Sequence, residues 1–543
     1  VTDPHRPPPR VPPIPIGVGS SEVVDRFSGP RVAVDEEFLG RLRRACDVVD
    51  VSPDALAAAG RDWWPISLHW ALAGSTGARP AVVVRPRSVE EVVEVLRCCN
   101  ERSVPVCAAG GRSGVTGGAI PVFGGVALDL LGLSGVTDVD DVSGLVTARA
   151  GTYGPELAVT LSSEHGLTLG HWPQSIDLST VGGWLACRAA GQYSTRYGKI
   201  EEIVAGLEVV LADGRVIHTG GLAGAGPRSA MGPDLTQLFV GSEGTLGIIT
   251  AAQLRAHPLP AAQRRQAWAF PSFSEGLDAL RRTLRRGATP AVVRLHDATE
   301  AARSWDVSEG HLLMALDEGD EHVIDAAMAV LAEECASATE LDSAVVGRWL
   351  ERRNDVSELT EVIRLGIVAD TIEVAAPWSE LSALYEDALK ALAQVQGNLY
   401  GSAHASHSYL DGGCLYFTFA GQGAEGNDQK SLEAFYRRSW AAVMDSTRRH
   451  RGSISHHHGI GLVRSGYLKE ALGQGFEVLV ALKAALDPGG ILNPGKLGLP
   501  TAYGPPLWEK MATGDSSAGE SLGAGSSGSA GDTHPESSEG SQP

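Results

Sequence analysis

Basic charge, aromatic side chains and paired cysteines are what this 543-residue sequence has least of. Lys and Arg number 45 against 65 Asp and Glu, for a formal net charge of −20. That balance excludes long-range attraction to nucleic acid or to an anionic membrane as an organising feature. An anionic small molecule remains allowed, because one or two arginines are enough to hold it. The seven cysteines, Cys46, Cys98, Cys99, Cys107, Cys187, Cys335 and Cys414, are odd in number and show no CxxC spacing. Cysteines dispersed in apolar contexts behave as small buried hydrophobes, which points to a reducing compartment. No apolar run approaches the eighteen or so residues of a membrane span, and the opening VTDPHRPPPRVPPIPIG has no apolar core of a signal peptide. The expectation is a cytoplasmic enzyme, with peripheral membrane contact through an apolar patch left open and a homodimer allowed.

What is abundant is glycine, 66 residues, with 30 prolines. This predicts many tight turns and close backbone approaches. Residues 1–20 are Pro-rich and expected to be unstructured, as is the Ser/Gly-rich tail within 501–543. A helical segment is expected over 21–75. Over 76–258, short apolar runs (81–86, 104–108, 125–130, 144–150, 204–211) alternate with helical stretches, one opened by Ser88 with Glu91 as a capping box. Over 259–425 helices are expected at 276–286, 320–335 and 379–396, between strands that build a second, cap domain. A mainly helical segment over 426–500 closes the chain. The fold class is α+β.

Three glycine-rich segments carry chemistry. The first, from Ala108 through Gly118, follows a strand and matches neither GxGxxG nor GxxxxGK[ST]. Its glycines let backbone N–H groups surround a pyrophosphate without Cβ obstruction. The second, from Gly170 through Gly191, mixes small hydroxyl residues and glycines with apolar ones, as a flat heteroaromatic ring requires. The third is Gly241-Ser-Glu-Gly-Thr-Leu-Gly, running into a strand.

In this order, and with a late Asn493-Pro-Gly-Lys, these segments resemble the FAD-binding fold of the vanillyl-alcohol-oxidase (PCMH-type) superfamily. The resemblance implies a two-subdomain FAD-binding domain, an α/β cap domain with an antiparallel sheet, and a C-terminal helical segment returning to the flavin. It places FAD contacts on Cys107, Ala108, Ala109, Gly110, Gly111, Arg112 and Ser113. It places others on Gln174, Ser175, Ile176, Asp177, Leu178, Ser179 and Thr180, on Cys187, Arg188, Ala189 and Ala190, and on Glu243, Gly244, Thr245, Leu246, Gly247, Ile248 and Ile249. Many relatives carry a histidine in the pyrophosphate loop that bonds covalently to the flavin. Arg112 takes the comparable place, and a guanidinium cannot make that bond, so non-covalent FAD is expected.

Ser455-His-His-His-Gly resembles the triple-histidine motif of alkyldihydroxyacetonephosphate synthases. The resemblance puts a catalytic tyrosine on Tyr416, catalytic histidines on His456, His457 and His458, and a substrate-side arginine on Arg294. A second active-site arginine falls on Arg353 rather than Arg364. The implied reaction exchanges the acyl chain of acyl-dihydroxyacetone phosphate for a long-chain alcohol, giving an ether lipid precursor through a flavin N5 adduct with no net redox change. The alternative is an FAD-linked oxidoreductase acting on a 2-hydroxy acid or another alcohol. Related D-2-hydroxyacid dehydrogenases hold a metal through two histidines and an acid. Tyr409, Tyr416 and His457 stand at those places, so no metal is expected, although His404 and His407 with the triplet leave a zinc reading open. Beside cationic arginines and histidines, the Tyr416 phenol is expected to have a lowered pKa. If the triplet is extended, His456 and His458 share one face and His457 the other.

Overall fold

The computed structural model describes residues 14–508 apart from 309, 356, 424, 425, 427 and 506. The Pro-rich residues 1–13 and the tail beyond 508 lie outside the described residues. The stretches next to them are packed, contrary to the expectation for 1–20 and 501–543. Ile14 is fully buried against Leu68, Ala71 and Ile363, and its carbonyl accepts a bond from Arg61. Trp508 is buried edge-on against Trp64, ring centres 4.7 Å apart. Each brings apolar surface worth burying, which a composition-based reading of the flanks does not register.

The first half of the chain builds a four-stranded and a five-stranded sheet, besides two short two-stranded pairings. Val82–Val84, Val126–Asp129 and Val106–Ala109 run parallel in a four-stranded sheet, edged by Val49–Asp50. Five antiparallel strands, in the order 216–218, 204–210, 248–255, 145–149, 136–140, form the second. The helix Val89–Glu101 is capped as its sequence implies, Ser88 Oγ accepting from the Glu91 N–H at 3.3 Å. The Glu91 carboxylate reaches one residue further back, to the Arg87 N–H, so the box closes around Arg87 rather than Ser88. Such a cap stabilises by about 1 kcal/mol.

The second half is a seven-stranded antiparallel sheet in the order 339–341, 262–270, 311–319, 292–296, 398–408, 412–421, 368–377. Period-two alternation divides its faces. Val293, Leu295, Ile372, Val374, Ala403, Ala405, Leu415, Phe417 and Phe419 join a large apolar core with helices Phe273–Arg285, Glu321–Glu334, Trp378–Ala393 and Gln429–Arg449. The residues between them, Arg294, His296, Thr371, Ser402, His404, Tyr416 and Thr418, line a cavity on the opposite face. One sheet thus supplies both the core of the cap domain and a polar wall. Among the described residues no helix is long and apolar enough to cross a membrane. Six of the seven cysteines are buried and none is disulfide-bonded.

Candidate active site

The glycine segments converge on one cavity of about 600 Å³, shared with the polar wall. Ala108 to Ala119, apart from Gly117, line it from the end of strand Val106–Ala109 and the loop after it, and the second segment contributes from 174–190 apart from Ile176, Asp177, Val181, Leu185 and Arg188. Two of the glycines are required by packing: a Cβ on Gly110 would sit 2.1 Å from Thr180 Oγ1, and one on Gly111 would sit 1.9 Å from the Leu178 carbonyl. Gly114, Gly118, Gly183 and Gly244 are different. Their Cβ positions meet nothing closer than 3.4 Å, so a side chain there would fill cavity space. Arg112 Nε and Thr180 Oγ1 are buried with no protein partner. A cradle of bare backbone with polar atoms turned inward fits a large planar cofactor with a charged linker.

The loops are fixed from a distance. Asn493 Nδ2 donates to the carbonyls of Gly118 and Glu243, at 3.2 and 2.8 Å, and Lys496 Nζ donates to the Ile120 carbonyl at 2.7 Å. The late Asn-Pro-Gly-Lys motif is therefore a staple between two cofactor loops. Glu243 in turn accepts from the N–H groups of Ile460 and Gly461, tying those loops to the histidine segment. Arg112, Arg188, Glu243, His407 and Asn493 all have left-handed backbone, with φ between 40° and 54°. Non-glycine residues held there cluster at functional sites.

On the polar wall, Tyr416 stands opposite Glu373 on one neighbouring strand and His404 on the other. The Thr371 hydroxyl donates to the Tyr416 oxygen at 3.0 Å, and His458 Nε2 lies 3.4 Å from it. The triplet is a tight bend rather than an extended run, so the two-faced arrangement of an extended run does not arise. Glu373, fully buried, imposes the bend by accepting from the N–H groups of both His456 and His458, the latter at 2.8 Å. Arg464, itself fully buried, pairs with Glu373 at 3.1 Å. His457 and His458 line the cavity. His456 turns away, its Nε2 3.0 Å from the Tyr409 hydroxyl and its carbonyl accepting from Lys199 Nζ at 2.6 Å.

Charge is the point on which geometry overrides the sequence. Burial pushes the Tyr416 phenol well up rather than down, helped by Asp370, Glu373 and Cys414 and opposed by the Thr371 hydroxyl. Burial also depresses the histidines: His458 to about 4, and His407, His456 and His457 well below their usual value. The triplet is neutral in the free site, so the expected lowering of Tyr416 by cationic histidines does not occur. Burial alone would raise Glu373, but Arg464, His458 and the two backbone N–H groups outweigh it and hold its carboxyl below the usual range.

Arg353 lines the cavity within an aromatic box, its guanidinium 5.0 Å from the Trp172 ring centre, 5.3 Å from Tyr193 and 5.7 Å from Trp349. Arg364 is exposed on a helix and does not reach the cavity. Among the described residues two groups have metal-ligand spacing, Cys414–His456–His457 and His296–Glu300–His404. In the first, the Nδ1 atoms of His456 and His457 lie 2.9 Å apart, and in the second, Glu300 faces His404 Nδ1 at 3.1 Å and His296 Nδ1 at 3.0 Å.

Comparison with known proteins agrees with this geometry. Residues 80–220 match the FAD binding domain family and 259–497 the C-terminal domain of FAD linked oxidases. An alkyldihydroxyacetonephosphate synthase of Dictyostelium discoideum is 30% identical over 468 residues, covering 79% of this chain and 74% of the relative. The chain belongs to the FAD-linked oxidase family. A D-lactate dehydrogenase of Archaeoglobus fulgidus is also 30% identical, over 78% of this chain and 93% of its own length. A solved structure of an alkyldihydroxyacetonephosphate synthase superposes with a TM-score of 0.72 at 24% identity, covering 88% of each chain. That establishes the PCMH-type fold. The protein is a flavin-dependent enzyme, and the cradle described above fits FAD.

Most residues expected at the cofactor line the cavity. Cys107, Ile176, Asp177, Arg188, Thr245 and Leu246 do not. Ile176 and Leu246 are core residues, Cys107 is buried beneath the loop, Thr245 caps its own turn on the Ser242 carbonyl, and Arg188 reaches toward Glu201 at 3.4 Å. A contiguous motif assigns every residue to the ligand, whereas a loop or helix shows the ligand only part of its circumference. Unanticipated residues are Glu300 and Thr371, which line the cavity, and Glu373 and Lys199, which hold the histidine segment from behind it. Thr371 and Glu373 share the strand Val368–Pro377 while Glu300 sits on helix Ala298–Trp305, and only the tertiary fold brings them to one site. His407, noted only as a zinc candidate, reaches the cavity through a bulge between Ser406 and Ser408, which turns it to the same side as His404.

Proposed function

We propose that the protein is an alkylglycerone-phosphate-synthase-like transferase, exchanging the acyl chain of acyl-dihydroxyacetone phosphate for a long-chain alcohol and releasing a fatty acid. The observation that carries the reading is the placement of Tyr416 between Thr371 and His458 on the cavity wall, with Arg294 and Arg353 on the same cavity. When bound, FAD supplies an electrophilic ring position for the substrate's reacting carbon, with no net redox change. Arg112 in the pyrophosphate loop, which cannot make the covalent bond that a histidine there would make, supports non-covalent FAD.

In this reading Arg294 holds the anionic end of the substrate. Tyr416 moves the proton at the reacting carbon. Because burial keeps its phenol protonated, it takes that proton only while handing its own to His458 Nε2, and it returns a proton as the alcohol bonds. His457, turned into the cavity, orients the leaving carboxylate, and His456, braced by Tyr409 and Lys199, holds His457 in place.

The test uses purified holoenzyme with acyl-dihydroxyacetone phosphate and hexadecanol under anaerobic conditions. Ether product and free fatty acid should form without an electron acceptor, and the flavin should remain oxidised. Bleaching of the flavin by D-lactate or another 2-hydroxy acid, with no ether product, would establish the oxidoreductase reading instead. Acid precipitation should leave all the flavin in the supernatant. Colour retained in the pellet would mean a covalent bond.

A further inference from the structure

Arg294 is a half-buried cation whose counter-charge is not where a counter-charge usually sits. Among the described residues no carboxylate lies within ion-pair distance of it. Its Nη2 instead donates to His404 Nε2 at 2.7 Å, its Nε has no protein partner, and its guanidinium lies 5.6 Å from the Trp349 ring centre. An imidazole nitrogen accepts only when it carries no proton, so the single proton of neutral His404 is on Nδ1. There Glu300 Oε2 takes it, at 3.1 Å. Glu300 is held in turn. It sits in the first turn of helix Ala298–Trp305, whose N-cap Asp297 also accepts from the Ala403 N–H at 2.7 Å, locking the helix onto the strand that carries His404.

We propose that His404 and Glu300 are positioning residues for anion binding at Arg294: a fixed-tautomer relay that puts the negative charge one imidazole away and leaves the guanidinium's other donors for a phosphate or carboxylate. A carboxylate in direct contact would neutralise Arg294 too, but a bidentate pair would occupy the donors the ligand needs. The relay offsets the cost of burying the cation without consuming those donors. His404 also stacks on Tyr416, ring centres 4.9 Å apart at 16°, so the same imidazole aligns the anion site with the proton-transferring phenol. Burial lowers His404 to about 4 and its partners hold Glu300 well below the usual range, so the relay keeps one charge state through neutral pH. The His296–Glu300–His404 spacing would also admit a metal ion. An ion on His404 Nδ1 would drive the proton to Nε2, setting one N–H against another across 2.7 Å. The geometry favours the relay.

The inference rests on Arg294 as the site of the substrate's anionic group, and the test separates the two. Holoenzyme is titrated with inorganic phosphate, followed by the flavin absorption band and by calorimetry. Arg294→Ala should weaken binding at least tenfold. If it does not, the anion reading of Arg294 fails and takes the relay with it. His404→Phe keeps the ring against Tyr416 but removes both nitrogens, and should weaken phosphate about tenfold. His404→Gln restores an acceptor and should recover binding to within about threefold of the parent. Loss with Arg294→Ala and parental affinity with His404→Phe would overturn the relay alone. Should His404→Phe fail to fold, nitrogen-15 spectra of labelled histidines decide: the resonance missing in His404→Gln must show the Nδ1–H tautomer, and an Nε2–H tautomer or stoichiometric zinc in the purified protein refutes the proposal.

Discussion

Replacing Tyr416 with Phe removes one oxygen from a site whose surroundings stay packed, and so separates chemistry from stability. In the folded protein the change deletes the 3.0 Å bond from Thr371 and the 3.4 Å contact with His458. The ring stacking on His404 is retained. One buried hydrogen bond contributes about 1 kcal/mol net, and the stranded Thr371 hydroxyl adds a cost of similar size. The variant should therefore fold, bind FAD and melt within a few degrees of the parent. Loss of a positioned proton-transfer group costs roughly 10²–10⁴ in rate, about 3 to 5 kcal/mol on the barrier. The catalytic loss exceeds the stability loss by about 1.5- to 2.5-fold. The assay is ether product per minute at saturating acyl-dihydroxyacetone phosphate and hexadecanol, with flavin content and melting temperature measured on the same sample. A kcat within threefold of the parent, at normal flavin content, would refute the proton-transfer role of Tyr416.

Gly183→Leu tests the cradle, because a Cβ there meets only Thr180 Oγ1 at 3.4 Å and the remaining side chain must enter the cavity. The expected outcome is a soluble, folded protein whose flavin-to-protein absorbance ratio falls at least tenfold, and normal flavin content would show that the cavity is not the cofactor site. Stability should fall on acidification. Burial holds His69, His404 and His458 down to about 4 and His171 to about 3, against roughly 6.5 when unfolded. Their contribution is complete above that value and is lost as the pH falls toward 4, because the unfolded chain binds protons the folded one refuses. Asp62 and Asp370, raised by burial to about 7, and Asp297 and Asp317, raised to about 6, oppose this, since their contribution is lost as the pH rises through those values. His407, His456 and His457, depressed as well, tip the balance. The melting temperature should be lower at pH 5 than at pH 7, and a higher one at pH 5 would refute the assignment of neutral buried histidines.

The cofactor loops were readable because what they need is local. A glycine whose Cβ would collide with a neighbouring carbonyl, as one on Gly111 would with that of Leu178, can be replaced by nothing else, so the requirement is written at that position. The same holds for Ser88 as a helix cap and for the order of the three glycine segments. The sequence by itself therefore determined the α+β class, a large cofactor cradled by backbone, and the identity of Tyr416, Arg294 and the triplet as candidates. Tertiary structure alone decided how they act together. Glu373, Glu300 and His404 come from separate strands and a helix, and only the register of the cap sheet brings them to Tyr416 and Arg294. The bend of the triplet comes from one buried carboxylate 83 residues away from His456. The charge of the site was not readable either. Proximity to arginines and histidines suggested an acidified phenol, whereas burial, which belongs to the folded chain and to no residue within it, makes the histidines neutral and keeps the proton on Tyr416.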